Sequence, residues 1–312
     1  MRSCRLPDQS KERGGRVEGE AGVNGFRYMR LETLGQTLEA LERYPDSGVI
    51  AGGTDVMIQL RLGKREDRRL IDLLIPELTG IEEREDGFSI GPSTSLMAVA
   101  DHFRNQPRPW DILCRSASVG ACQTRSLATI GGNLCTGNAS ADMATALLVL
   151  DTVLELRSAR ATRLVPLDRF FIRNRQTALE PGEIVTGMFI PKRREASAGA
   201  AFEKIGKRRG HVIAVLNTAA MLARDGEGNI VTVRLAAGTL APRPMRLYES
   251  EKMFLQCLRR GEDLEGALAA AGETMLTEIQ PRDSLRASAE YRRRVAPVAL
   301  ARAVRAAWDG KE

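Results

Sequence analysis

The chain has 312 residues, 43% of them apolar and 28% charged, and a net charge of +6. That length is enough for two domains with cores of their own. Aromatic residues make up only 4% and the basic residues are scattered, the densest groups being residues 204–209 and Arg292-Arg293-Arg294, which argues against a stacked-base nucleic-acid platform. Five cysteines without a CxxC pair and two histidines, His102 and His211, argue against a disulfide framework and against a His-rich metal site.

Residues 1–24, rich in Gly, Arg and Glu, lack the apolar core of a secretory signal and read as a disordered leader. No stretch approaches the roughly 18 uninterrupted apolar residues of a membrane span, so the cytoplasm is the expected compartment. Leucines at 34, 38 and 41 predict a short helix over residues 35–44, and residues 48–51 read as a buried strand. Thr54 is the predicted N-cap of a helix with Val56, Met57 and Leu60 on its inner face, ended by Gly63. Strands are expected at 69–73 and 87–91, and a helix at 95–103 capped by Thr94 or Ser95. Residues 141–150 are apolar on nearly all sides and predict a buried helix. Strands follow at 153–157 and 184–190, the second stopped by Pro191.

The charged, small-residue stretch 192–199 is the expected boundary between a domain over 25–195 and another over 196–312. Beyond it, strand-like runs at 212–223 and 230–237 are joined by Asp225-Gly226-Glu227-Gly228-Asn229, a hairpin signal. Helical stretches at 245–259, 263–276 and 284–308 complete an α+β second domain.

Two glycine runs stand out. The first is Val49-Ile50-Ala51-Gly52-Gly53-Thr54-Asp55-Val56; the second is Thr129-Ile130-Gly131-Gly132-Asn133, with Asp142 nine residues after Asn133. A glycine pair lets the backbone turn sharply and lets amides approach an anion. Each run leaves an apolar segment and enters a helical one, the pattern of two walls of one phosphate-bearing cofactor site. Asp55 sits awkwardly beside a phosphate and is expected to cap its own helix. Asn133 offers a donor and an acceptor, and Asp142 can accept hydroxyl hydrogen bonds or cap the helix after it. The runs fit neither GxxxxGK[ST] nor GxGxxG. No G-x-S-x-G, His dyad or paired metal carboxylates accompany them, so no catalytic residue and no metal ligand is assigned, and the chemistry is expected to lie in a cofactor. Cys114, Cys122 and Cys135 are spaced like no iron–sulfur motif and read as small buried thiols.

With these runs and their flanks the chain resembles the FAD-binding (medium) subunit of the molybdenum hydroxylases, the xanthine dehydrogenase and carbon monoxide dehydrogenase family. The flanks are Ile71-Asp72-Leu73, Pro76-Glu77-Leu78, Glu183-Ile184-Val185, Phe202-Glu203-Lys204 and Tyr291-Arg292, and the likeness extends from about Phe26 to Trp308. It implies an α+β chain: a two-subdomain FAD-binding domain of the vanillyl-alcohol-oxidase (PCMH) type, then a smaller C-terminal domain of antiparallel sheet and helices. FAD is expected to be noncovalent. Residues 49–56 and 129–133 are implied to hold pyrophosphate and ribityl, Asp142 ribityl or adjacent hydroxyls, and Val185 and Lys204 to lie near the flavin ring. His211-Val212 stands where many relatives carry acidic residues, so the acceptor side is expected to differ. The implied partners are a molybdenum-cofactor large subunit and a [2Fe-2S] small subunit, with NAD or another acceptor taking the electrons. A self-contained FAD-dependent oxidoreductase and a flavin-free scaffold are the alternatives.

Overall fold

The computed structural model describes residues 27–65, 67–192, 195, 197–208 and 213–309. The expected leader, Phe26, Arg209, His211 and Val212 lie outside the described residues.

The first lobe comprises β1 (Arg27–Met29), α1 (Leu34–Arg43), β2 (Ser47–Ile50), α2 (Val56–Arg61) and β3 (Arg69–Asp72). Its three strands run parallel in the order β1-β3-β2. Helix α1 opens in a capping box: Thr33 Oγ1 accepts from the Gln36 amide at 3.2 Å, and Gln36 Oε1 accepts from the Thr33 amide at 3.3 Å. Its Leu38 and Leu41 pack with Ile71, Ile75 and Leu78, the face that the 34-38-41 spacing announces.

The second lobe holds β4 (Ile81–Glu83), β5 (Gly87–Ile90), α3 (Leu96–Phe103), α4 (Ile112–Ser116), α5 (Cys122–Leu127), α6 (Ile130–Cys135) and α7 (Asp142–Val149). It continues with β6 (Val153–Arg157), β7 (Thr162–Pro166), α8 (Leu167–Phe170), β8 (Phe171–Arg173), β9 (Gln176–Thr177) and β10 (Ile184–Pro191). Five of these strands form an antiparallel sheet in the order β4-β5-β10-β6-β7, while β8 and β9 make a separate hairpin. Phe88 meets the rings of Phe103 and Trp110 edge-on at 5.1 and 5.0 Å. Every residue of α7 is buried, as its all-round apolar sequence requires.

The C-terminal part is an antiparallel sheet of β11 (Ser197–Ile205), β12 (Leu216–Arg224), β13 (Ile230–Gly238) and β14 (Met245–Arg246), with α9 (Tyr248–Arg259), α10 (Leu264–Glu278) and α11 (Ala289–Asp309) on one face. Strand β12 is buried on both faces. Ala219, Met221 and Ala223 join the core around α7, and Ala220 and Leu222 join the helical core behind. A strand buried twice reads as a continuous apolar run. Arg246 ties this sheet to the second lobe, donating to Glu251 at 2.6 Å and to Asp151 at 2.7 Å. The fold is therefore the mixed α and β architecture expected, with an antiparallel sheet and helices at the C-terminal end. Among the described residues no helix is long and apolar enough to cross a membrane.

Several local expectations are corrected. Residues 197–199, read as structureless, belong to β11; their small side chains suit a strand whose Gly199 lies against the Ala307 carbonyl of α11. Residues 245–246 form β14 rather than the start of a helix, and α11 begins at Ala289, five residues later than its pattern suggests. Thr54 does not cap α2. The cap position is Asp55, in helical conformation and without a side-chain capping bond. No residue of α2 is buried, so Val56, Met57 and Leu60 do not form the inner face of a core; of the three, Val56 lines the cleft described below. Of the cysteines read as buried thiols, Cys114 and Cys135 are half-buried and Cys122 is exposed, whereas Cys257 is buried.

Candidate functional site

A cleft of about 470 Å³ separates the first lobe from the second, within the size range of small-molecule sites. Both glycine runs line it. Val49, Ala51, Gly52, Gly53, Thr54, Asp55 and Val56 form one wall, Thr129, Gly131, Gly132 and Asn133 the other, and Val185 adds an apolar contact. Ile50 and Ile130 point into packed protein.

The two walls use their backbone differently. Gly53 adopts φ +68°, a left-handed conformation that glycine enters without penalty. A Cβ on Gly52 would lie 1.8 Å from the Leu127 carbonyl oxygen, so only glycine lets α5 approach this wall. The amides of Gly52, Gly53, Thr54, Asp55 and Val56 have no hydrogen-bond acceptor among the described residues. Five successive free donors on residues that line a cleft can make a nest for an anion. Helix α2 has only 6 residues, so these amides rather than a long helix dipole are the attractive element.

On the opposite wall the amides are already engaged. Ile130 donates to the Thr94 carbonyl at 2.9 Å, Gly131 to that of Pro92 at 2.8 Å, and Asn133 to that of Thr129 at 2.9 Å. The Gly132 amide donates to Thr129 Oγ1 at 3.1 Å, making Thr129 the N-cap of α6. Gly131 packs so closely on Pro92 that a Cβ would fall 2.5 Å from the proline Cβ. What this wall presents to the cleft is the bare surface of Gly132 and the side chain of Asn133. Asn133 Oδ1 itself is buried and has no hydrogen-bond partner among the described residues.

Asp142 and Lys204 do not line the cleft. Asp142 follows directly on the cleft-lining Ser140 and Ala141, but its carboxylate accepts from Lys204 Nζ at 2.5 Å and from Asn217 Nδ2 at 2.6 Å. Thr145 Oγ1 completes the cluster with a 2.8 Å bond to Asn217 Oδ1. Burial raises the Asp142 carboxyl above its ordinary value, opposed by the charge and hydrogen bond of Lys204 and by Asn217. Asp142 makes no capping bond; the cap position is Ala141. The pair joins α7 to β11 and β12 across sixty residues of sequence.

Sequence reasoning missed Gln59, Cys135, Arg175 and Glu183, which also line the cleft. Burial pushes the Cys135 thiol up to about 12, so it is neutral and apolar. Glu183 is held by Arg163, whose Nε and Nη2 donate at 2.8 and 2.7 Å and keep the carboxyl below its ordinary range. A third Arg163 bond, to the Ala178 carbonyl at 2.6 Å, fastens the segment that carries Leu179 to Val185. No periodicity in the sequence marks Arg175 or Gln59; their place depends on contacts between lobes. Among the described residues no group of His, Cys, Asp and Glu side chains is arranged to hold a metal ion.

Residues 24–193 match the family model described as the FAD binding domain in molybdopterin dehydrogenase, and residues 200–307 match the CO dehydrogenase flavoprotein C-terminal domain. The chain is 35% identical over 268 residues to the putative xanthine dehydrogenase FAD-binding subunit XdhB of Escherichia coli, covering 85% of this chain and 90% of the relative. It is 30% identical to the nicotinate dehydrogenase FAD-subunit of Eubacterium barkeri, covering 84% and 90%. Among solved structures, a chain of the carbon monoxide dehydrogenase of Hydrogenophaga pseudoflava superposes with a TM-score of 0.85 at 27% identity, covering 92% of this chain and 98% of that one.

Proposed function

Because the chain belongs to the family of FAD-binding subunits of the molybdenum hydroxylases, and is thus an FAD-binding oxidoreductase subunit, we propose that it relays electrons between a partner's [2Fe-2S] clusters and NAD or another acceptor. Substrate is oxidised on a molybdenum-cofactor large subunit, and the three chains form a heterotrimer in the cytoplasm. Residues 25–195 serve as the flavin domain and 196–312 as the C-terminal domain.

The observation that carries this reading is the row of free amides from Gly52 to Val56 on residues that line the cleft. A pyrophosphate is the group that such a nest satisfies. Bound FAD supplies the ability to exchange electrons singly with a cluster and in pairs with a nicotinamide. The protein's part is to bind and orient. The first wall holds phosphate through backbone N–H groups, with the Thr54 hydroxyl as a further donor. The second wall keeps Gly132 bare so that the ribityl chain can lie close, and Val185 and the neutral Cys135 exclude water. Asp142 and Lys204 serve as a joined pair that fixes α7 against β11 behind the cleft-lining Ser140 and Ala141. The carboxylates among the described lining residues, Asp55 and Glu183, are tied in ion pairs, which leaves neither free to act as a general base on an organic substrate.

The isolated chain should carry stoichiometric FAD and should be reduced anaerobically by NADH or accept a dye as oxidant. Purines, aldehydes and N-heterocycles should leave its visible spectrum unchanged unless the partner chains are added. Bleaching by any of these substrates without partners would overturn the relay reading.

A further inference from the structure

The first wall carries an electrostatic contradiction. Asp55 lies within the row of free amides, so a carboxylate stands beside the place offered to a phosphate, and two anions repel. Its surroundings resolve this. Gln59 Nε2 donates to Asp55 Oδ2 from one turn along α2, and Arg175 Nη1 lies 3.4 Å from the same oxygen, reaching it from the opposite side of the cleft.

Arg175 is placed there at a conformational cost. It sits at the tip of the β8–β9 hairpin with φ +58°, a left-handed backbone uncommon for a residue with a side chain. The tip is pinned on the end of α6: the Arg175 amide donates to the Gly137 carbonyl at 2.8 Å. Gly137, itself at φ +57°, leaves so little room that a Cβ would fall 3.0 Å from Arg175 Cα. The second wall and the hairpin thus form one unit that aims a guanidinium at the first wall.

We propose that Arg175 is a positioning residue for the cofactor: it neutralises Asp55 across the cleft, so that the adjoining amides can donate to the pyrophosphate of FAD. This rests on the assignment of the first wall as the phosphate cradle. The role is electrostatic and specific to the phosphate end, and it leaves the flavin ring untouched.

The test is fluorescence titration of the flavin-stripped full chain with FAD and with riboflavin, which lacks phosphate, at low and high salt. Arg175→Gln should raise the Kd for FAD roughly tenfold at low salt and leave riboflavin binding unchanged. Asp55→Asn, added to Arg175→Gln, should restore FAD affinity to within about twofold of the parent, because the charge needing compensation is gone. Arg173→Gln on the same hairpin is the control and should change nothing. A uniform loss for both ligands, no loss for FAD, or no rescue by Asp55→Asn would overturn the proposal. Failure of the cradle assignment itself looks different: the unaltered chain would then bind riboflavin as tightly as FAD.

Discussion

The two glycine runs look alike in sequence and behave as opposites in the structure. In the first, glycine serves conformation and close approach: Gly53 turns left-handed, Gly52 admits the Leu127 carbonyl, and five amides are left without acceptors. In the second, the backbone is consumed by the scaffold, with Thr129 capping α6 and with the Thr94 and Pro92 carbonyls accepting from the Ile130 and Gly131 amides, respectively. A glycine pair therefore signals close approach, but which partner approaches, ligand or protein, is decided by where the amide bonds go.

The largest effects should come from adding side chains to the two walls. Gly53→Val forces a β-branched residue into a left-handed backbone and disorganises the nest. Gly132→Val fills the cleft, while its Cβ meets only the Thr129 hydroxyl at 2.8 Å. Both should lower FAD affinity by a factor of about 100 or more, the worth of two or so charge-assisted bonds. Gly132→Val should keep its far-ultraviolet circular dichroism. Stoichiometric flavin in purified Gly132→Val would remove the second wall from the site.

Next in size is Asp142→Ala. It strands Lys204, whose side chain is 18% exposed, and should cost about 3 kcal/mol in urea unfolding of the flavin-free chain. Asp142→Asn should cost less, because Asn217 and Lys204 keep a polar partner. An unchanged unfolding midpoint for Asp142→Ala would show that the pair braces nothing, and would return Asp142 to a direct role on the cofactor.

Asn133→Leu and Thr129→Ala sharpen the contrast within the second wall. Removing the orphaned Oδ1 should leave flavin-free stability unchanged or higher and weaken FAD roughly tenfold, since a polar side chain that lines the cleft is lost. Losing the cap should do the reverse, lowering stability by about 1 kcal/mol with FAD affinity nearly intact. Calorimetric melting and flavin titration on the same samples separate the two.

The smallest effect is a pH dependence on the Glu183–Arg163 pair. Its folded-state pKa is depressed, chiefly by the Arg163 hydrogen bonds, so its stabilisation is present above the unfolded value, about pH 4, and is lost as pH falls through the lower folded value. Glu183→Gln should therefore melt slightly below the parent at pH 7, and the gap should close below about pH 4. A gap that widened on acidification would contradict the assignment.

Much of this was legible in the sequence where one physical rule dominates. The all-round apolar run became the buried α7, and the Asp-Gly-Glu-Gly-Asn turn became the β12–β13 hairpin. Ser95 caps α3 with a 3.1 Å bond from the Ala98 amide. Strand β11 was hidden because Ser, Ala and Gly open it and charges close it; its pairing with β12 is decided by a partner strand, not by its own pattern. Arg175 was illegible because its function depends on a contact with Asp55 that spans 120 residues. Asp142 was expected to accept from hydroxyls or to cap its helix; the donors it has, Lys204 and Asn217, come from strands that no local spacing connects to it.

The difference between the walls is open to direct measurement by amide hydrogen exchange on the flavin-free and FAD-loaded chain. Without FAD, the amides of Gly52 to Val56 should exchange fast and those of Ile130 to Asn133 slowly, because only the second set is hydrogen-bonded. Adding FAD should slow the first set strongly and change the second little. Slow exchange at Gly52 to Val56 before FAD, or protection by FAD confined to Ile130 to Asn133, would contradict the assignment of the first run as the phosphate cradle.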